Sequence, residues 1–319
     1  MVLNELLGQD ARIWVKSEWG PASEDWPAVS FSKRSVGDYL RKEFVPGRDA
    51  ILYIGTSNPA TTGNPAHRQR LLSAVNIEPK QLLETRDCIP AKSWEESQNQ
   101  FRGRWLWSMP ALGIWDFDDL PLAHDILPAT YRQLGLIVNR GNVVEVVPDE
   151  KIAVLGLTVH PVVFQPPHKA GAFSGSRALL DLNIEIRREI GRMVGNILGR
   201  VNASGTERTS VSPIRTTSES SLHILLGQKW QEQKGRCFLC QGPLLPGTKN
   251  YILQASPDRT DSLDTAYSDA NIRITHLGCN LAKNDVSLTD FEDWLAVVRG
   301  ELDDVNGEDS QFEEPRILD

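Results

Sequence analysis

The two stretches Cys237-Phe-Leu-Cys240 and His276-Leu-Gly-Cys279 decide the fold of the C-terminal third of this chain, and 35 residues separate them. Each stretch places two soft or borderline metal ligands one tight turn apart, and four such ligands suit tetrahedral Zn²⁺. A unit of about 60 residues has too small a core to be secure alone, so a bound metal would supply folding energy. The sequence therefore predicts a structural zinc site formed by Cys237, Cys240, His276 and Cys279.

The remaining composition predicts a cytoplasmic protein. The fourth cysteine, Cys88, stands alone in the sequence and is expected to be a small buried apolar residue. In a cytosolic chain, three cysteines clustered beside a histidine favour a metal over a disulfide. The first 15 residues do not form a signal peptide, and no apolar run approaches the ~18–20 residues that span a bilayer. We therefore expect no membrane partner.

Polar residues follow a recognisable order around the two ligand pairs. Gln254-Ala-Ser-Pro-Asp258-Arg259-Thr-Asp261 comes first, then Asn271-Ile-Arg-Ile-Thr, and the second pair continues as Cys279-Asn280-Leu-Ala-Lys283. This order resembles the HNH nuclease family, which has a zinc-stapled ββα-metal core. The family carries an acid on the first strand, an asparagine in the following loop, and an asparagine or histidine on the helix. The matching positions are Asp258, Asn271 and Asn280.

The resemblance implies metal-dependent hydrolysis of phosphodiester bonds. A Mg²⁺ or Mn²⁺ ion held by Asp258 and Asn280 would polarise the scissile phosphate. Asn271 would tie the loop to the strand, and Lys283 would neutralise charge that develops in the transition state. These residues, together with Arg259, are the predicted catalytic set.

Arg259 departs from the family pattern, which has a histidine there as the general base. A guanidinium stays protonated above about pH 12, so it does not readily activate water. Three interpretations remain open. Arg259 binds phosphate while Asp261 or a substrate oxygen takes the proton; the base comes from elsewhere; or the unit binds nucleic acid without cutting it.

The first 165 residues predict many short strands and few helices, which favours a curled sheet or small barrel. The predicted strands are 50–54, 71–77, 104–108, 113–117, 142–147 and 152–159. The predicted helices are 35–44, 79–84 and 124–134.

Two stretches of this region resemble the PUA-superfamily barrels, which include the EVE and ASCH domains. They are Val45-Pro-Gly-Arg-Asp-Ala-Ile-Leu-Tyr-Ile-Gly-Thr and Arg68-Gln-Arg-Leu-Leu-Ser-Ala-Val-Asn-Ile-Glu-Pro. The resemblance implies a pocket for a flipped, modified base.

Aromatic residues supply candidate walls for such a pocket, because a flipped base is held between aromatic faces. The candidates are Trp105, Trp107 and Trp115, and the first two are expected on one face of a strand, since side chains alternate with period two. Their alternative role is to form the core of the barrel. Ser57 and Asn58 follow a strand and are either base-edge contacts or a plain turn.

The middle of the chain predicts one helix over 176–200, with Ser176 as its N-cap and apolar residues at three- and four-residue steps. Its arginines form either a solvated face or a surface that follows DNA phosphates. Residues 201–221 are nearly all small or polar, as is typical of a linker.

The net charge of −8 is unevenly distributed, which matters because a nucleic-acid-binding protein must neutralise phosphates. Residues 301–319 contain eight acidic residues and one arginine, whereas 167–236 contain eleven Lys and Arg and six Asp and Glu. The acidic tail is expected to be a solvated disordered segment, or a phosphate mimic that competes for the basic surface.

Together these features predict a mixed α+β protein with a PUA-like curled sheet or small barrel, a helical linker and a zinc-stapled ββα-metal module. The predicted organisation is a recognition domain at 1–165, a helix and flexible linker at 166–222, a nuclease domain at 223–300 and an acidic tail at 301–319. The preferred function is a modification-dependent restriction endonuclease, of the kind that serves in phage defence, which reads a modified cytosine in DNA. Cutting both strands requires two active sites, so we expect a homodimer. The alternatives are a nucleic-acid-binding regulator without nuclease activity and an RNA-directed HNH nuclease.

Overall fold

The structure is a computed structural model and describes residues 1–165, 174–204, 218–261, 266–284 and 286–301. It has a mixed α+β fold with a curled sheet, helices on the sheet, and a smaller α+β unit at the C-terminal end. In this described part of the chain, no helix is both long enough and apolar enough to cross a membrane.

The N-terminal part contains the larger sheet and the helices that cover it. Its strands are β1 (Ile13–Glu18), β2 (Ala28–Phe31), β3 (Ala50–Gly55), β4 (Leu71–Ile77), β5 (Leu83–Glu84), β6 (Trp107–Phe117), β7 (Val144–Glu145) and β8 (Val159–Pro161). Its helices are α1 (Leu3–Leu7), α2 (Arg34–Glu43), α3 (Ala91–Gln100), α4 (Ala123–Ile126), α5 (Pro128–Leu134) and α6 (Pro148–Leu155).

The strand β6 produces the curl of the sheet. The sheet order is β2-β6-β4-β3-β1-β7, and β5 and β8 also pair with β6. The first residues of β6 pair with β2 and β5, whereas its later residues pair with β4 and β8. A register shift at Asn76 and Ile77 of β4 lies near the change of partner. Such irregularities bend a strand and increase its twist, so one long strand serves two parts of the sheet.

Both faces of the central strands are buried. Alternate residues of β3 belong to different cores: Leu52 and Ile54 pack with α1 and α4–α6, whereas Ile51 and Tyr53 pack on the side of α2. Burial on both faces explains why β3 and β4 are nearly continuous apolar runs.

The strands predicted at 50–54 and 71–77 and the helix predicted at 35–44 are confirmed as β3, β4 and α2. The prediction at 124–134 is confirmed as two helices, α4 and α5. Strong local patterns of apolar residues identified these elements, and their tertiary packing agrees with the patterns.

Two other predictions for this region are wrong. Residues 152–159 are the end of α6 followed by β8, because Pro148 begins a helix with Asp149 and Glu150 in its first turn. Residues 79–84 are not a helix; Leu83 and Glu84 pair with β6 as the short strand β5. Pairing with β6 decides the conformation of residues 83–84, whereas local helix-start signals decide where α6 begins.

The segment predicted as one helix over 176–200 is two helices, α7 (Ser174–Asp181) and α8 (Ile184–Ser204). The amide oxygen of Asn183 accepts a hydrogen bond from the backbone N–H of Ile186, 2.9 Å away, and so begins α8. Asparagine is a strong N-cap residue, and it breaks the pattern between the two helices. Ser176 lies inside α7 and is not an N-cap.

The C-terminal unit is built from helices and a two-stranded hairpin. Its further elements are α9 (Glu219–Glu232), β9 (Ala255–Arg259), β10 (Ile272–His276), α10 (Leu277–Lys283) and α11 (Leu288–Arg299). Buried residues of α7, α8 and α9 share one core with both strands and with Cys237. The predicted boundary between 222 and 223 lies within α9. Residues 166–173 and 205–217 of the predicted helix and linker, and 302–319 of the predicted tail, lie outside the described residues.

Candidate metal centre and neighbouring polar site

Local chain geometry brings the four predicted zinc ligands together. Cys237 and Cys240 lie in the turns after α9, His276 ends β10, and Cys279 lies in the first turn of α10. Their four ligand atoms all lie within 4.8 Å of one another. A tetrahedral zinc with Zn–S bonds of about 2.3 Å and Zn–N bonds of about 2.0 Å separates its ligand atoms by roughly 3.5–3.8 Å. The cluster is therefore able to bind a metal ion such as zinc.

Hydrogen bonds orient the ligands of this cluster. The Nδ1 atom of His276 lies 3.3 Å from Sγ of Cys240 and 3.9 Å from Sγ of Cys279. Its Nε2 atom lies 3.0 Å from the carbonyl oxygen of Pro243. A carbonyl that accepts the Nε2 proton leaves the Nδ1 lone pair for a metal, which is the usual arrangement around a metal-bound histidine.

Backbone N–H groups also favour thiolates at this site. Those of His276 and Gly242 point at Sγ of Cys237 and Cys240, at 3.3 and 3.4 Å. The hydrogen bond from the Cys279 thiol, helped by backbone donors and opposed by burial, lowers the pKa of Cys237 to about 5. The same contact raises the pKa of Cys279, and burial raises that of Cys240. A metal ion would release the protons that these thiols share.

A hairpin followed directly by a helix forms the neighbouring polar site. Strands β9 and β10 pair antiparallel, with Asp258 opposite Arg273, and α10 begins immediately after β10. The Asn280 amide donates to Oγ of Ser256 at 3.2 Å and to the carbonyl of Pro257 at 3.5 Å. Asn280 on the helix is thereby fixed beside the strand that carries Asp258.

Asp258 and Lys283 form a buried charge pair within this site. Asp258 and Lys283 are only 8% and 3% exposed, and Nζ of Lys283 lies 3.8 Å from Oδ2 of Asp258. Burial raises the pKa of Asp258, and the charges of Lys283 and Arg259 oppose that shift. The structure therefore brings together three of the predicted catalytic residues: Asp258, Asn280 and Lys283.

Asn271 closes the loop between the two strands. Its side-chain oxygen accepts hydrogen bonds from Oγ1 of Thr260 at 3.0 Å and from the backbone N–H of Asp261 at 2.7 Å. Its amide nitrogen donates to the carbonyls of Asp261 and Ala266, both at 3.2 Å. The amide thus contacts the described residues at both ends of the loop and holds the end of β9 in position.

Arg259 is half-buried at the end of β9. Its guanidinium carbon lies 5.9 Å from the centre of the Tyr267 ring. His276, the single histidine in the sequence of the hairpin and α10, belongs to the cysteine cluster. Arg259, and not a histidine, follows Asp258 on β9.

A second candidate site lies in the N-terminal part, where a cavity of about 260 Å³ opens between β1, β2 and α3. Trp105 is the one predicted pocket residue that lines it. Tyr53 of β3 also lines the cavity, and sequence reasoning missed both it and the three remaining aromatic walls, which are Trp19, Trp26 and Phe101. These three lie in loops and at a helix end, and Trp19-Gly-Pro and Trp26-Pro were the available signals, because Gly and Pro mark loops that carry binding residues.

The predicted shared strand face of Trp105 and Trp107 is wrong. Trp105 precedes β6 and has φ 52°, so the alternation of a strand does not apply to it. Trp107 lies under the guanidinium of Arg34, 4.6 Å from its ring centre. Trp115 packs against the core and reaches back over Gly113.

Ser57 and Asn58 also lie outside the cavity lining. They are exposed in the turn after β3, where the Asn58 side chain accepts a hydrogen bond from the N–H of Ala60 at 2.9 Å. The two candidate sites are therefore the cysteine cluster with its hairpin and helix, and the aromatic cavity.

In comparisons with known proteins, the chain matches no family model, no curated protein and no solved structure.

Proposed function

We propose that this protein is a metal-dependent endonuclease that hydrolyses DNA near a modified base, with its active site in the β9–β10–α10 unit. One observation carries the proposal: Asp258, Asn280 and Lys283 converge where the hairpin enters the helix, beside the Cys3His cluster. This is the arrangement expected of a ββα-metal core of the HNH type. In the proposal, zinc in the cluster is structural and ties β10 and α10 to the turns after α9.

The donor set at Asp258 fits a hard divalent cation. Asp258 offers a carboxylate, and Asn280 donates with its Nδ2 atom to β9, which leaves its amide oxygen as a second ligand. Mg²⁺ is commonly bound by one or two protein oxygens, with water and phosphate oxygens completing the octahedron. Such an ion would stabilise charge on the scissile phosphate and on the leaving oxygen.

The protein groups around Asp258 have separate roles in the proposal. Lys283 supplies a fixed positive charge toward the phosphate, in a buried place where charge is weakly screened. Asn271 keeps the loop closed, so that Arg259 at the end of β9 is held for a phosphate contact. The attacking water gives its proton to Asp261 or to a substrate oxygen, since a guanidinium does not accept one.

Recognition is assigned to the N-terminal part, which we expect to be PUA-like. Proteins that read or modify a base take it out of the duplex into a pocket with aromatic walls. The aromatic cavity supports this assignment, because its size and lining suit one flat ring. The expected ligand is a modified cytosine in DNA.

The test is digestion of matched DNAs that contain cytosine, 5-methylcytosine, 5-hydroxymethylcytosine or glucosylated cytosine, with Mg²⁺ or Mn²⁺. We expect cutting of at least one modified DNA and a loss on the order of 100-fold in Asp258→Ala and Asn280→Ala, with DNA binding retained. Asp293→Ala, an exposed acid on α11, is the matched control and should cut as the wild type does.

Each of the other outcomes contradicts part of the proposal. Binding without cutting, under every metal and modification, would make the protein a nuclease-inactive regulator, which the arginine at 259 favours. Cutting of RNA in preference to DNA would make it an RNA-directed nuclease. Equal cutting of all four DNAs would exclude recognition of a modified base by the N-terminal part. A homodimer belongs to the proposal, and sedimentation that gives only monomer with and without DNA would exclude it.

A further inference from the structure

The polar floor of the aromatic cavity is a carboxylate with a buried counter-charge. Glu18 lines the cavity, and its Oε1 atom pairs with Nζ of Lys16, which is 5% exposed. The ammonium of Lys16 also lies 5.8 Å from the centre of the Phe31 ring. Among the described residues, Oε2 of Glu18 has no side-chain hydrogen-bond partner. The charge pair therefore holds one carboxylate oxygen and leaves the other for a ligand.

The walls of the cavity are fixed before any ligand arrives. Trp26 donates its indole N–H to Oγ of Ser30 at 2.7 Å, and Ser30 continues through Oγ of Ser108 at 2.5 Å to Oγ1 of Thr85 at 2.7 Å. Tyr53, buried beneath the cavity, donates its hydroxyl to the carbonyl of Ala28 at 3.3 Å. A preorganised wall lowers the cost of ordering on binding.

The backbone of Trp105 is held in an unusual conformation at the cavity edge. Its φ of 52° is rare for a bulky residue, and its N–H donates to Oγ of Ser32 at 3.2 Å. This conformation directs the indole against Trp19, with ring centres 4.6 Å apart and planes at 82°. Strain of this kind occurs at ligand sites, where surrounding contacts maintain it.

The polar side chains that the strands contribute to the cavity accept hydrogen bonds, whereas Ser97 and Gln100 of α3, which also line it, can donate as well as accept. Glu18 is an acceptor, and the hydroxyl of Tyr53 already donates, so it offers a lone pair. Ser30 is occupied by Trp26 and Ser108. A complementary ligand is therefore a flat apolar ring that brings hydrogen-bond donors, such as the exocyclic amino group of a base. A ring with a carbonyl in that place would leave the carboxylate unpaired, which a desolvated site penalises.

We propose that this cavity binds a base extruded from DNA, and that Glu18, positioned by Lys16, selects bases with an amino edge, the cytosine class, over bases with a keto edge. This inference rests on the proposed function for its ligand. The inference goes beyond the proposed function in two respects. It assigns the base-binding site to Trp19, Trp26, Phe101 and Trp105, and it assigns the selection between bases to the carboxylate of Glu18.

The experiment measures binding apart from cutting. Full-length Asp258→Ala protein is titrated, without added Mg²⁺ or Mn²⁺, into fluorescent duplexes with 5-methylcytosine or thymine at one position opposite guanine, and anisotropy is recorded. The two bases share the ring and the methyl group and differ at the amino or keto edge. Thymine opposite guanine is a mismatch and is therefore extruded more easily than paired 5-methylcytosine. Tighter binding of the 5-methylcytosine duplex would thus be observed despite the lower extrusion cost of thymine.

We expect the 5-methylcytosine duplex to bind at least about 10-fold tighter than the thymine duplex, since a polar site of this kind discriminates strongly. Glu18→Gln should reduce the preference to within about 3-fold. Glu24→Gln makes the same change on an exposed loop residue outside the cavity lining and should leave the preference intact. Trp26→Ala should weaken both complexes.

Because Glu18→Gln leaves Lys16 buried without its partner, the double variant Lys16→Met, Glu18→Gln is measured beside it and should lose the preference too. Equal binding of the two duplexes by the parent protein overturns the proposal, and so does an unchanged preference in both Glu18 variants. Quenching of tryptophan fluorescence by tetramethylammonium, with no base preference, would assign the cavity to a methylated ammonium instead. A base preference without cutting of any DNA would refute the nuclease and leave this inference standing.

Discussion

Nζ of Lys283 lies 3.8 Å from Oδ2 of Asp258, although α10 and β9 are separated by the whole loop and β10. Both residues are buried, and the distance is too long for a hydrogen bond. The ammonium therefore acts on the carboxylate mainly through its charge. Because neither group hydrogen-bonds the other, the site favours a ligand that pairs with one of them: an anionic oxygen at Lys283 or a cation at Asp258.

Removal of the Lys283 charge should destabilise the C-terminal unit at neutral pH. Lys283→Met leaves Asp258 buried without its partner, at a cost of about 2–4 kcal/mol. Burial already raises the pKa of Asp258, and Lys283 opposes this, so the variant raises that pKa further. Denaturant unfolding followed by the fluorescence of buried Trp230 measures the loss.

The pH dependence of this variant has a definite sign. An aspartate whose folded pKa lies above its unfolded pKa binds its proton more tightly in the folded protein. Its cost to stability therefore grows as pH rises through the interval between the two values and is complete above the folded one. The deficit of Lys283→Met should be smaller at about pH 4 than at about pH 8. Lys283→Arg, which keeps the charge, should lose little at either pH; a deficit independent of pH would exclude the electrostatic cause.

Zinc should be a structural part of the C-terminal unit. We expect elemental analysis to find about one zinc per chain, and chelation to abolish the cooperative unfolding of this unit, because Cys237 lies inside its core. Cys279→Ala should lose the metal. Cys88→Ala changes a buried cysteine far from the cluster and should keep it. A fully folded, metal-free Cys279→Ala protein would show that the cluster is dispensable.

The amide of Asn271 should stabilise the loop that ends β9. Asn271→Asp keeps the shape and one oxygen but loses the two bonds donated to the carbonyls of Asp261 and Ala266. We expect a loss of about 1–2 kcal/mol in unfolding free energy, because the buried amide of Asn271 loses its two bonds to carbonyls that are themselves only partly buried or exposed. Asn99→Ala, an exposed amide change on α3, should be neutral. Stability equal to the wild type would mean that the loop closes without these bonds.

Acid should weaken the contact between α9 and the N-terminal part. The nearby His223, whose Nε2 atom lies 3.8 Å from Oε1, and Arg48 lower the pKa of Glu219 from 4.5 to about 2, against the effect of burial. Oε1 of Glu219 lies 2.5 Å from the guanidinium of Arg48, which precedes β3. A carboxylate with a depressed folded pKa stabilises the fold above its unfolded pKa, and this stabilisation disappears as pH falls from about 4.5 to about 2.

Glu219→Gln should therefore flatten the acid limb of a plot of unfolding temperature against pH. Glu232→Gln changes an exposed partner of Lys229 on the same helix and is the control, with an acid limb like that of the wild type. An unchanged limb in Glu219→Gln would show that Arg48 and His223 do not hold this carboxylate in solution. The effect is modest, because the Glu219 side chain is 40% exposed and water screens it.

Local patterns in the sequence predicted the metal cluster and several central elements correctly. The spacing within Cys237-Phe-Leu-Cys240 and His276-Leu-Gly-Cys279 already predicts two pairs of ligands. The pairing of β9 with β10 then brings the two pairs close together in space. The apolar runs of β3 and β4 were readable because both faces are buried. The runs at 152–159 and 176–200 were misread, because Pro148 and Asn183 begin helices through backbone geometry that hydropathy does not record.

The sequence by itself determined the chemistry of the metal ligands and the order of Asp258, Asn271 and Asn280, because these depend on residue type and short spacing. Only the tertiary structure decided which aromatic side chains form a cavity. Trp19 and Trp26 come from the connection between β1 and β2, whereas Phe101 and Trp105 come from the connection between α3 and β6. Their meeting depends on how β1, β2, α3 and β6 pack around the curled sheet, and packing between distant segments leaves no periodic signal in any one of them.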